Sequence, residues 1–304
     1  MLVFGIDGGG TRSALVALDE RGELRLRLAG GPLLLDPGDP AARAIPIAEL
    51  AAAAAEQLGV SLPVTALCCA LAGAGRAHAR EAVSAALRER RPASLVHVTT
   101  DAEAAFYDAL GDGPGILVIA GTGSVVRARN AAGELLRVGG WGQVLGDEGS
   151  GYAMGLAVLR AATRAADGRS LDCSLLAPVL DGTGCTVPDQ LVQWAAGASK
   201  GAIAALAQLA FDVRGPISEG IIAHAAAELA EQVRSVLARG GSWPEPVPLV
   251  CAGGLIEAGR PLRAPLLRAL AGLGVSFDVH EGVVDGARGA ARLALRLAGA
   301  PAAV

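Results

Sequence analysis

The chain has 304 residues, 52% of them apolar, which is enough to bury two substantial cores. Its 30 acidic and 26 basic side chains nearly balance, and the net charge of -4 gives no reason to expect nucleic acid or an anionic membrane surface as a partner. We therefore expect no nucleic acid, no membrane and a small soluble substrate.

The start of the chain and its cysteines indicate a cytoplasmic protein. The opening apolar run, Leu2–Ile6, follows no basic segment and is far too short for a signal peptide or a membrane span. The five cysteines are odd in number and show no CxxC pair or histidine ligand pattern, so we expect buried free thiols rather than disulfides or a zinc site.

Short apolar runs separated by glycine-rich turns predict three strands at the start of the chain, followed by alternating helices and strands. The predicted strands are Leu2–Ile6, Ala14–Leu18, Leu24–Leu28, Val64–Leu71 and Leu95–Val98, and the predicted helices are Pro46–Leu58, His78–Glu89 and Ala102–Leu110. The order βββαβαβα indicates an α/β domain in which parallel strands extend an antiparallel meander through helical crossovers.

The second half opens with the same pattern. Gly10–Ser13 is matched by Gly121–Ser124, and Gly22–Leu24 by Gly133–Leu135, both at an offset of 111 residues. The predicted elements are strands at Ile116–Ile119, Val125–Ala128 and Leu135–Val138, helices over most of 151–239, a strand at Pro248–Ala252, a helix from Leu255, a strand at Ser276–His280 and a helix at Asp285–Leu297. Two related halves that face each other would leave a cleft suited to a nucleotide.

Asp7 and the residues after it form a candidate phosphate and metal site. A buried strand ends here with a carboxylate, and Gly8–Gly10 and Thr11 follow. Glycines let the backbone approach a polyanion closely, and successive amides in a turn form an anion-binding concavity. The alternative is an ordinary hairpin, but a hairpin needs fewer glycines. The spacing fits neither a Walker A loop nor a dinucleotide fingerprint, which leaves phosphate and hydrated Mg²⁺ as the natural ligands.

Asp101 is the candidate catalytic base. It stands where the strand Leu95–Val98 gives way to a helix, and the carboxyl ends of parallel strands are where open α/β sheets place ligands. Phosphoryl transfer to an alcohol needs a group that positions the hydroxyl and accepts its proton. The alternative is an aspartate that only caps the helix.

The segment Gly139–Gly151 is a candidate sugar site, because it holds six glycines, Trp141 and two acids in thirteen residues. In a chain with 3% aromatic residues, Trp141 could offer an apolar face to a sugar while Asp147 hydrogen-bonds its hydroxyls. The alternative is a flexible surface loop. Further along, Gly253 and Gly254 join a buried strand to a predicted helix, and close approach of a nucleotide's base or ribose explains them as well as tight helix packing does.

Together these segments resemble the N-acetylglucosamine kinase branch of the BadF/BadG/BcrA/BcrD ATPase family, within the sugar kinase, actin and Hsp70 superfamily. The segments similar to the family's motifs are Gly8–Ser13 and Gly121–Ser124 for phosphate, Thr100–Ala102 for the catalytic aspartate, Gly139–Gly142 and Gly146–Ser150 for the sugar, and Cys251–Gly254 for adenosine. The likeness covers nearly the whole chain.

The resemblance implies two actin-like, RNase H-like domains with a nucleotide cleft between them. The first is residues 1–111, joined by the C-terminal helix 285–304, and the second is residues 112–284. ATP and Mg²⁺ are the implied cofactors, and we also expect a homodimer. The implied site residues are Asp101 as the catalytic base, Asp7 at the metal, Gly8, Gly9, Gly10, Thr11, Arg12, Gly121, Thr122, Gly123, Gly253 and Gly254 at the nucleotide, and Ser124, Gly140, Trp141 and Asp147 at the sugar.

The implied activity is phosphorylation of a hydroxyl, at C6, of an amino sugar such as N-acetylglucosamine or glucosamine. The family's usual sugar-contacting asparagine is absent from Leu33–Asp36, which leaves glucosamine, N-acetylmuramic acid and other hexoses open. One alternative is an ATPase activator of a CoA-substrate reductase or dehydratase, for which adjacent Cys68 and Cys69 offer poor cluster geometry. Another is a non-catalytic sugar- or nucleotide-sensing protein.

Overall fold

The structure is a computed structural model that describes residues 1–10, 12–36 and 38–299. The chain forms two compact units. Unit 1 comprises Met1–Asp112 and the C-terminal segment that begins at Val284, and unit 2 is Gly113–Val283. Thr11, a predicted nucleotide-binding residue, lies outside the described residues. Within the described ranges, no helix is both long and apolar enough to cross a membrane.

Unit 1 is built on a five-stranded mixed sheet with the strand order β3-β2-β1-β4-β5. Its strands are β1 (Leu2–Gly8), β2 (Ser13–Asp19), β3 (Leu24–Gly30), β4 (Val64–Leu71) and β5 (Ala93–Thr99). Its helices are α1 (Ala44–Leu58), α2 (Ala77–Arg90), α3 (Asp101–Leu110) and the last helix of the chain, α11 (Gly286–Leu297). The predicted βββαβαβα order is confirmed.

Unit 2 is built on a second five-stranded sheet, with the order β10-β9-β6-β7-β8. Its strands are β6 (Gly115–Ala120), β7 (Ser124–Arg129), β8 (Leu135–Gly139), β9 (Val247–Ala252) and β10 (Phe277–His280). Its helices are α4 (Gly151–Ala166), α5 (Leu176–Thr183), α6 (Gln190–Gly197), α7 (Lys200–Ala205), α8 (Ala207–Asp212), α9 (Pro216–Gly240) and α10 (Arg263–Ala271).

The two sheets have the same topology, because each places its first strand between its second and fourth strands. The turn after the first strand differs by one residue. In unit 1, Gly8 pairs with Ser13, whereas in unit 2, Ala120 pairs with Ser124. The sequence repeat therefore reflects a structural repeat, with the longer glycine turn in unit 1.

Helices cover both faces of the first sheet, which explains why β1 and β2 are apolar nearly throughout. Phe4 and Ile6 pack into the core beneath α1 and α2, while Val3 packs into the core beneath α3 and α11. Strand β3 lies at one edge of the sheet, and there Arg25 and Arg27 alternate with leucines.

Helix α11 lies against β1 at unusually short backbone separation. A Cβ atom on Gly5 would lie 2.0 Å from the backbone nitrogen of Ala291, and one on Gly289 would lie 2.0 Å from the carbonyl oxygen of Ala104 on α3. Asp108, whose side chain is fully buried on α3, accepts hydrogen bonds of 2.6 and 2.7 Å from the guanidinium of Arg288. These contacts fix the start of α11 at the carboxyl edge of β1.

Two sequence-based expectations are wrong. The helix predicted from Leu255 does not form, because one turn closes at Glu257 and the chain then bends through Gly259, whose φ is +76°, and Pro261 before α10 begins at Arg263. The cysteines are free thiols as expected, but they are not all buried, since Cys173 is exposed.

Two glycines that occupy the same position in different helices of unit 2 provide a test of this packing. Gly155 and Gly220 are each the fifth residue of their helix, α4 and α9. A Cβ on Gly155 would lie 1.9 Å from the carbonyl oxygen of Ile203 on α7, whereas one on Gly220 would meet nothing within 4 Å.

Gly155→Ala should therefore lower the free energy of unfolding by about 1–3 kcal/mol or more, because the two helices must separate. Gly220→Ala should raise it by about 0.5–1 kcal/mol, because alanine favours the helix. Urea unfolding of both variants measures the two effects. Equal effects would contradict the close contact between α4 and α7.

Candidate active site

Three carboxylates lie at the carboxyl edge of the first sheet. Asp7 is the penultimate residue of β1, Asp101 begins α3 one residue after the end of β5, and Asp285 precedes α11. Burial raises the pKa of Asp7, and the negative charges of Asp101 and Asp285 raise it further. The sequence had placed Asp7 and Asp101 at this edge, but it gave no sign that Asp285 joins them.

The electrostatics of Asp7 favour a cation. Burial, and then the negative charges of Asp101 and Asp285, raise the pKa of Asp7 to about 6, and Arg12 and Arg27 offset only part of this rise. A Cβ on Gly286 would lie 2.8 Å from an Asp7 carboxylate oxygen, so the missing side chain leaves room for that carboxylate. Within the described residues, no cluster of three or more histidine, cysteine or acidic side chains is arranged to hold a metal. A single carboxylate with hydrated Mg²⁺ and phosphate fits this arrangement, because Mg²⁺ usually keeps several waters.

Asp285 is held in place by hydrogen bonds. Its carboxylate caps α11 by accepting from the backbone N–H groups of Ala287 and Arg288, at 3.1 and 3.2 Å, and it also accepts from the guanidinium of Arg27 on β3. Burial alone would raise the pKa of Asp285, but these hydrogen bonds outweigh it and the pKa is lowered. Asp285 is therefore a fixed negative charge beside Asp7.

Asp101 is exposed at the start of α3 and does not serve as the helix cap. Thr100 is the N-cap, since its hydroxyl accepts from the backbone N–H of Glu103 at 3.2 Å. One Asp101 oxygen accepts from the backbone N–H of Ala102 at 2.8 Å, which orients the carboxylate. The capping alternative for Asp101 loses its basis, because Thr100 performs that role.

The first glycine-rich turn combines packing glycines with an open one. A Cβ on Gly8 would lie 2.6 Å from Leu71 and 2.7 Å from Leu33, so packing alone explains that glycine. Gly9 donates its N–H to the carbonyl of Arg12 at 3.0 Å. Gly10 is exposed, and the nearest atom to its added Cβ, on Leu34, would be 3.9 Å away. The hydrogen bond between Gly9 and Arg12 thus closes a tight turn, and the exposed Gly10 leaves room for a phosphate to approach.

The second glycine-rich turn lies beside Gly253 and Gly254. Gly121 donates its N–H to the carbonyl of Gly123 at 2.9 Å, and the backbone nitrogen of Gly254 would be 3.8 Å from a Cβ on Gly121. Gly253 has a φ of +97°, and its added Cβ would lie 2.5 Å from the carbonyl oxygen of Ala120. A Cβ on Gly254 would have no other atom within 4 Å. Packing therefore explains Gly253, whereas Gly254 borders open space.

Asp147 is buried at this second turn, with a side chain only 4% exposed. Its backbone has a φ of +64°, which is unusual for a residue other than glycine. One carboxylate oxygen lies 3.3 Å from the backbone nitrogen of Ser124, and the other lies 2.6 Å from the ammonium of Lys200. The Ser124 hydroxyl donates to the carbonyl of Glu148 at 2.7 Å, so in this structure it holds the loop. A sugar contact by Ser124 or Asp147 stays a prediction.

Trp141 is exposed, at 68% of its surface, within the predicted sugar segment. The Arg137 guanidinium lies 5.1 Å from the ring centroid and donates to the carbonyl of Gly140 at 2.7 Å. Gly140 has a φ of +69°, and its added Cβ would lie 2.9 Å from Val125. A cation–π contact therefore braces the ring while leaving much of it accessible. The backbone around Asp147 also borders a cavity of about 520 Å³ between α4 and α9.

The sequence-based prediction missed Lys200, Asp285 and Arg27. Lys200 is the only lysine in the chain, so the amino-acid composition distinguishes this residue. Asp285 stands directly before a helix and could have been recognised as an N-cap. Arg27 on the edge strand carries no local signal.

Two sheets of the same strand order, each with a glycine-rich turn after its first strand, define an actin-like, two-domain ATPase fold. The sequence pattern of the BadF/BadG/BcrA/BcrD ATPase family matches residues 4–294, and the chain belongs to this family.

Named relatives and a solved structure resemble nearly the whole chain. An N-acetylmuramic acid/N-acetylglucosamine kinase of Clostridium acetobutylicum is 31% identical over 261 residues, covering 84% of this chain and 85% of that protein. An N-acetyl-D-glucosamine kinase of Dictyostelium discoideum is 29% identical over 97% of this chain and 98% of that protein. The crystal structure of a proposed N-acetylglucosamine kinase from Chromobacterium violaceum has a TM-score of 0.77 and 25% identity, covering 97% of this chain and 98% of that one.

Asp7 should make stability depend on pH in metal-free buffer. Its folded-state pKa of about 6 exceeds the ordinary value of 3.8, so the folded protein retains a proton that the unfolded chain releases. The Asp7 carboxyl should therefore lower the stability of the wild type, relative to a variant without it, as pH rises from about 4 to about 6, and that cost should persist at higher pH.

Asp7→Asn removes this cost, and it should raise the free energy of unfolding at pH 7 by about 1–3 kcal/mol, with the difference disappearing near pH 4. Urea unfolding across this pH range in EDTA gives the measurement. Asp167→Asn, at a side chain 56% exposed, is the control and should change stability little. A constant difference between Asp7→Asn and the wild type at all pH values would contradict the raised pKa.

Proposed function

We propose that this protein is an ATP-dependent kinase that phosphorylates a hydroxyl group of an amino sugar such as N-acetylglucosamine or glucosamine. The enzyme class is phosphotransferase with a sugar acceptor, as in the named relatives that match most of the chain. The observation that carries the proposal is the exposed Asp101 carboxylate. The N–H of Ala102 orients this carboxylate, and its negative charge contributes to the raised pKa of Asp7.

Asp101 acts as the base in this mechanism. Its carboxylate accepts the proton of the sugar hydroxyl, whose oxygen forms a bond to the γ-phosphorus while the bond from phosphorus to the bridging oxygen of ADP breaks. The orientation of Asp101 by the Ala102 N–H supports this role, because a base must be held within hydrogen-bonding reach of the proton that it removes.

The glycine turns bind the phosphates. Backbone N–H groups in the Gly8–Arg12 and Gly121–Gly123 turns donate to phosphate oxygens, and the space beside Gly254 receives the nucleoside. Asp7 holds Mg²⁺, which neutralises charge on the phosphates when it is bound. The excess negative charge around Asp7 supports a cation there.

The sugar is recognised in the segment that contains Trp141 and Asp147. The exposed Trp141 ring packs against the apolar face of the sugar, and Asp147 accepts a hydroxyl hydrogen bond. The attacked hydroxyl is the one at C6. A cytoplasmic location and a homodimer complete the proposal, and both rest on expectations from the sequence.

The packing of Cys68 and Cys69 argues against an iron–sulfur activator. Both lie on β4 and are fully buried, Cys68 in the core beneath α11 and Cys69 in the core beneath α1 and α2. Neighbouring residues on a strand point to opposite faces of the sheet, so the two thiols cannot ligate one cluster. Burial raises the pKa of both thiols, which disfavours the thiolate that a cluster requires.

Asp101→Asn should separate nucleotide binding from phosphoryl transfer. The amide keeps the shape of the carboxylate but accepts no proton, so kcat should fall by about 10²–10⁴-fold while the Kd for ADP stays within about threefold. A coupled assay of ADP release and calorimetric titration measure the two quantities.

The matched control is Glu103→Gln on the same helix, where the carboxylate accepts from the Thr99 hydroxyl. Turnover in this variant should stay near that of the wild type. Near-normal turnover in Asp101→Asn would remove the assigned base.

The acceptor can be identified directly. ATP turnover should be stimulated most by N-acetylglucosamine or glucosamine in a panel that also holds N-acetylmuramic acid and glucose, because the site should discriminate by hydrogen bonds to the sugar's polar groups. ³¹P–¹H correlation spectra of the product should show coupling to the C6 protons. Stimulation by none of these sugars would contradict the sugar kinase proposal, and coupling to the anomeric proton would reject C6.

A further inference from the structure

Lys200 is the one lysine among 26 basic side chains, all the others being arginines. It is the first residue of α7, directly after Ser199, whose hydroxyl caps the helix by accepting from the N–H of Ala202 at 3.1 Å. The close contact between Gly155 and Ile203 holds α7 against α4. The position of the lysine is therefore fixed by the packing of unit 2.

The ammonium of Lys200 lies on the second glycine-rich turn. Its Nζ atom is 2.6 Å from an Asp147 carboxylate oxygen and would be 3.1 Å from a Cβ on Gly123. The Lys200 side chain is 34% exposed, whereas that of Asp147 is 4% exposed. The cation is thus accessible at the edge of the turn while its partner is buried.

A lysine ammonium has three hydrogen-bond donors, and Asp147 is the acidic partner that the structure gives it. A phosphate group carries more negative charge than a carboxylate and forms strong hydrogen bonds to charged donors. Lysine is a compact point charge on a flexible stem, whereas the planar guanidinium of arginine would grip a carboxylate through two fixed hydrogen bonds. A lysine can therefore exchange one anion for another with little rearrangement.

We propose that Lys200 is a phosphate-binding residue that changes partners. In the nucleotide-free protein it neutralises Asp147, and when nucleotide binds it contacts a phosphate held on the Gly121–Gly123 turn. This exchange releases one Asp147 oxygen to accept a sugar hydroxyl. The inference rests on the proposed function, since it assumes that the turn binds phosphate.

A pair of variants tests this role without leaving a buried charge unpaired. Lys200→Met alone would leave the buried Asp147 carboxylate without its cationic partner and would destabilise the fold. Asp147→Asn removes that charge and keeps the lysine, whereas Asp147→Asn with Lys200→Met removes both, so the two proteins differ only in the ammonium. Circular dichroism and thermal unfolding establish that both are folded.

The Kd for ADP and for a non-hydrolysable ATP analogue with Mg²⁺ should be at least as low in Asp147→Asn as in the wild type. It should be about 10- to 100-fold higher in the double variant, as expected when a charged hydrogen bond is lost. Adenosine should bind both variants equally, because it has no phosphate. Equal affinity of the two variants for ADP would overturn the proposal.

The single lysine also allows direct observation. Protein grown with [ε-¹³C]lysine should give one ¹³C signal, and ADP should shift it whereas adenosine should not. If ADP binds the wild type but leaves the signal unmoved, Lys200 does not contact phosphate and only this inference fails. If neither ADP nor the ATP analogue binds the wild type, the proposed function fails with it.

Discussion

The close backbone contact between β1 and α11 is the constraint on which the candidate active site depends. Gly5 and Gly289 allow α11 to lie against β1 and α3 at distances that no other residue permits, and the ion pair between the buried Asp108 and the partly exposed Arg288 secures the same contact. Because α11 is fixed in this way, Asp285 stands beside Asp7 and adds to the negative potential there. Losing Arg288 would be costly, because the Asp108 carboxylate is fully buried and would lose its hydrogen-bonded cation. Asp285, near the end of the chain, is therefore part of the site that Asp7 forms near its beginning.

The two units repeat one topology but carry different chemistry. In each sheet a helix follows the fifth strand, α3 after β5 and α11 after β10, and both helices pack in unit 1 and bring an acid to Asp7. The counterpart of Asp7 in the second sheet is the apolar Ile119, since Asp7 pairs with Ala14 and Ile119 pairs with Val125, the residue 111 positions after Ala14. Unit 2 instead presents a cation at its glycine turn, the ammonium of Lys200. The repeat thus carries neighbouring acids at the edge of one sheet and an ion pair of Lys200 with Asp147 at the glycine turn of the other.

The pairing of Asp147 with Lys200 illustrates a limit of local sequence patterns. Asp147 was recognised from its glycine-rich surroundings, but its partner lies 53 positions further along the chain in a short helix with no motif. The composition contained a signal, since one lysine stands among arginines, yet composition alone does not say which residue it meets. The helix predicted from Leu255 failed for a local reason, because a single turn runs from Gly253 to Glu257 and the chain then bends through Gly259 and Pro261.

The sequence by itself determined the strands of both halves, their repeat, the glycine turns and the candidate roles of Asp7 and Asp101. Those features depend on local periodicity and on residues that follow a strand directly, so neighbouring positions suffice to define them. Only the tertiary structure decided that Asp285, Arg27 and Lys200 join the two sites. Their contacts join residues from 53 to 258 positions apart, and such contacts follow from how helices pack on sheets rather than from any pattern along the chain.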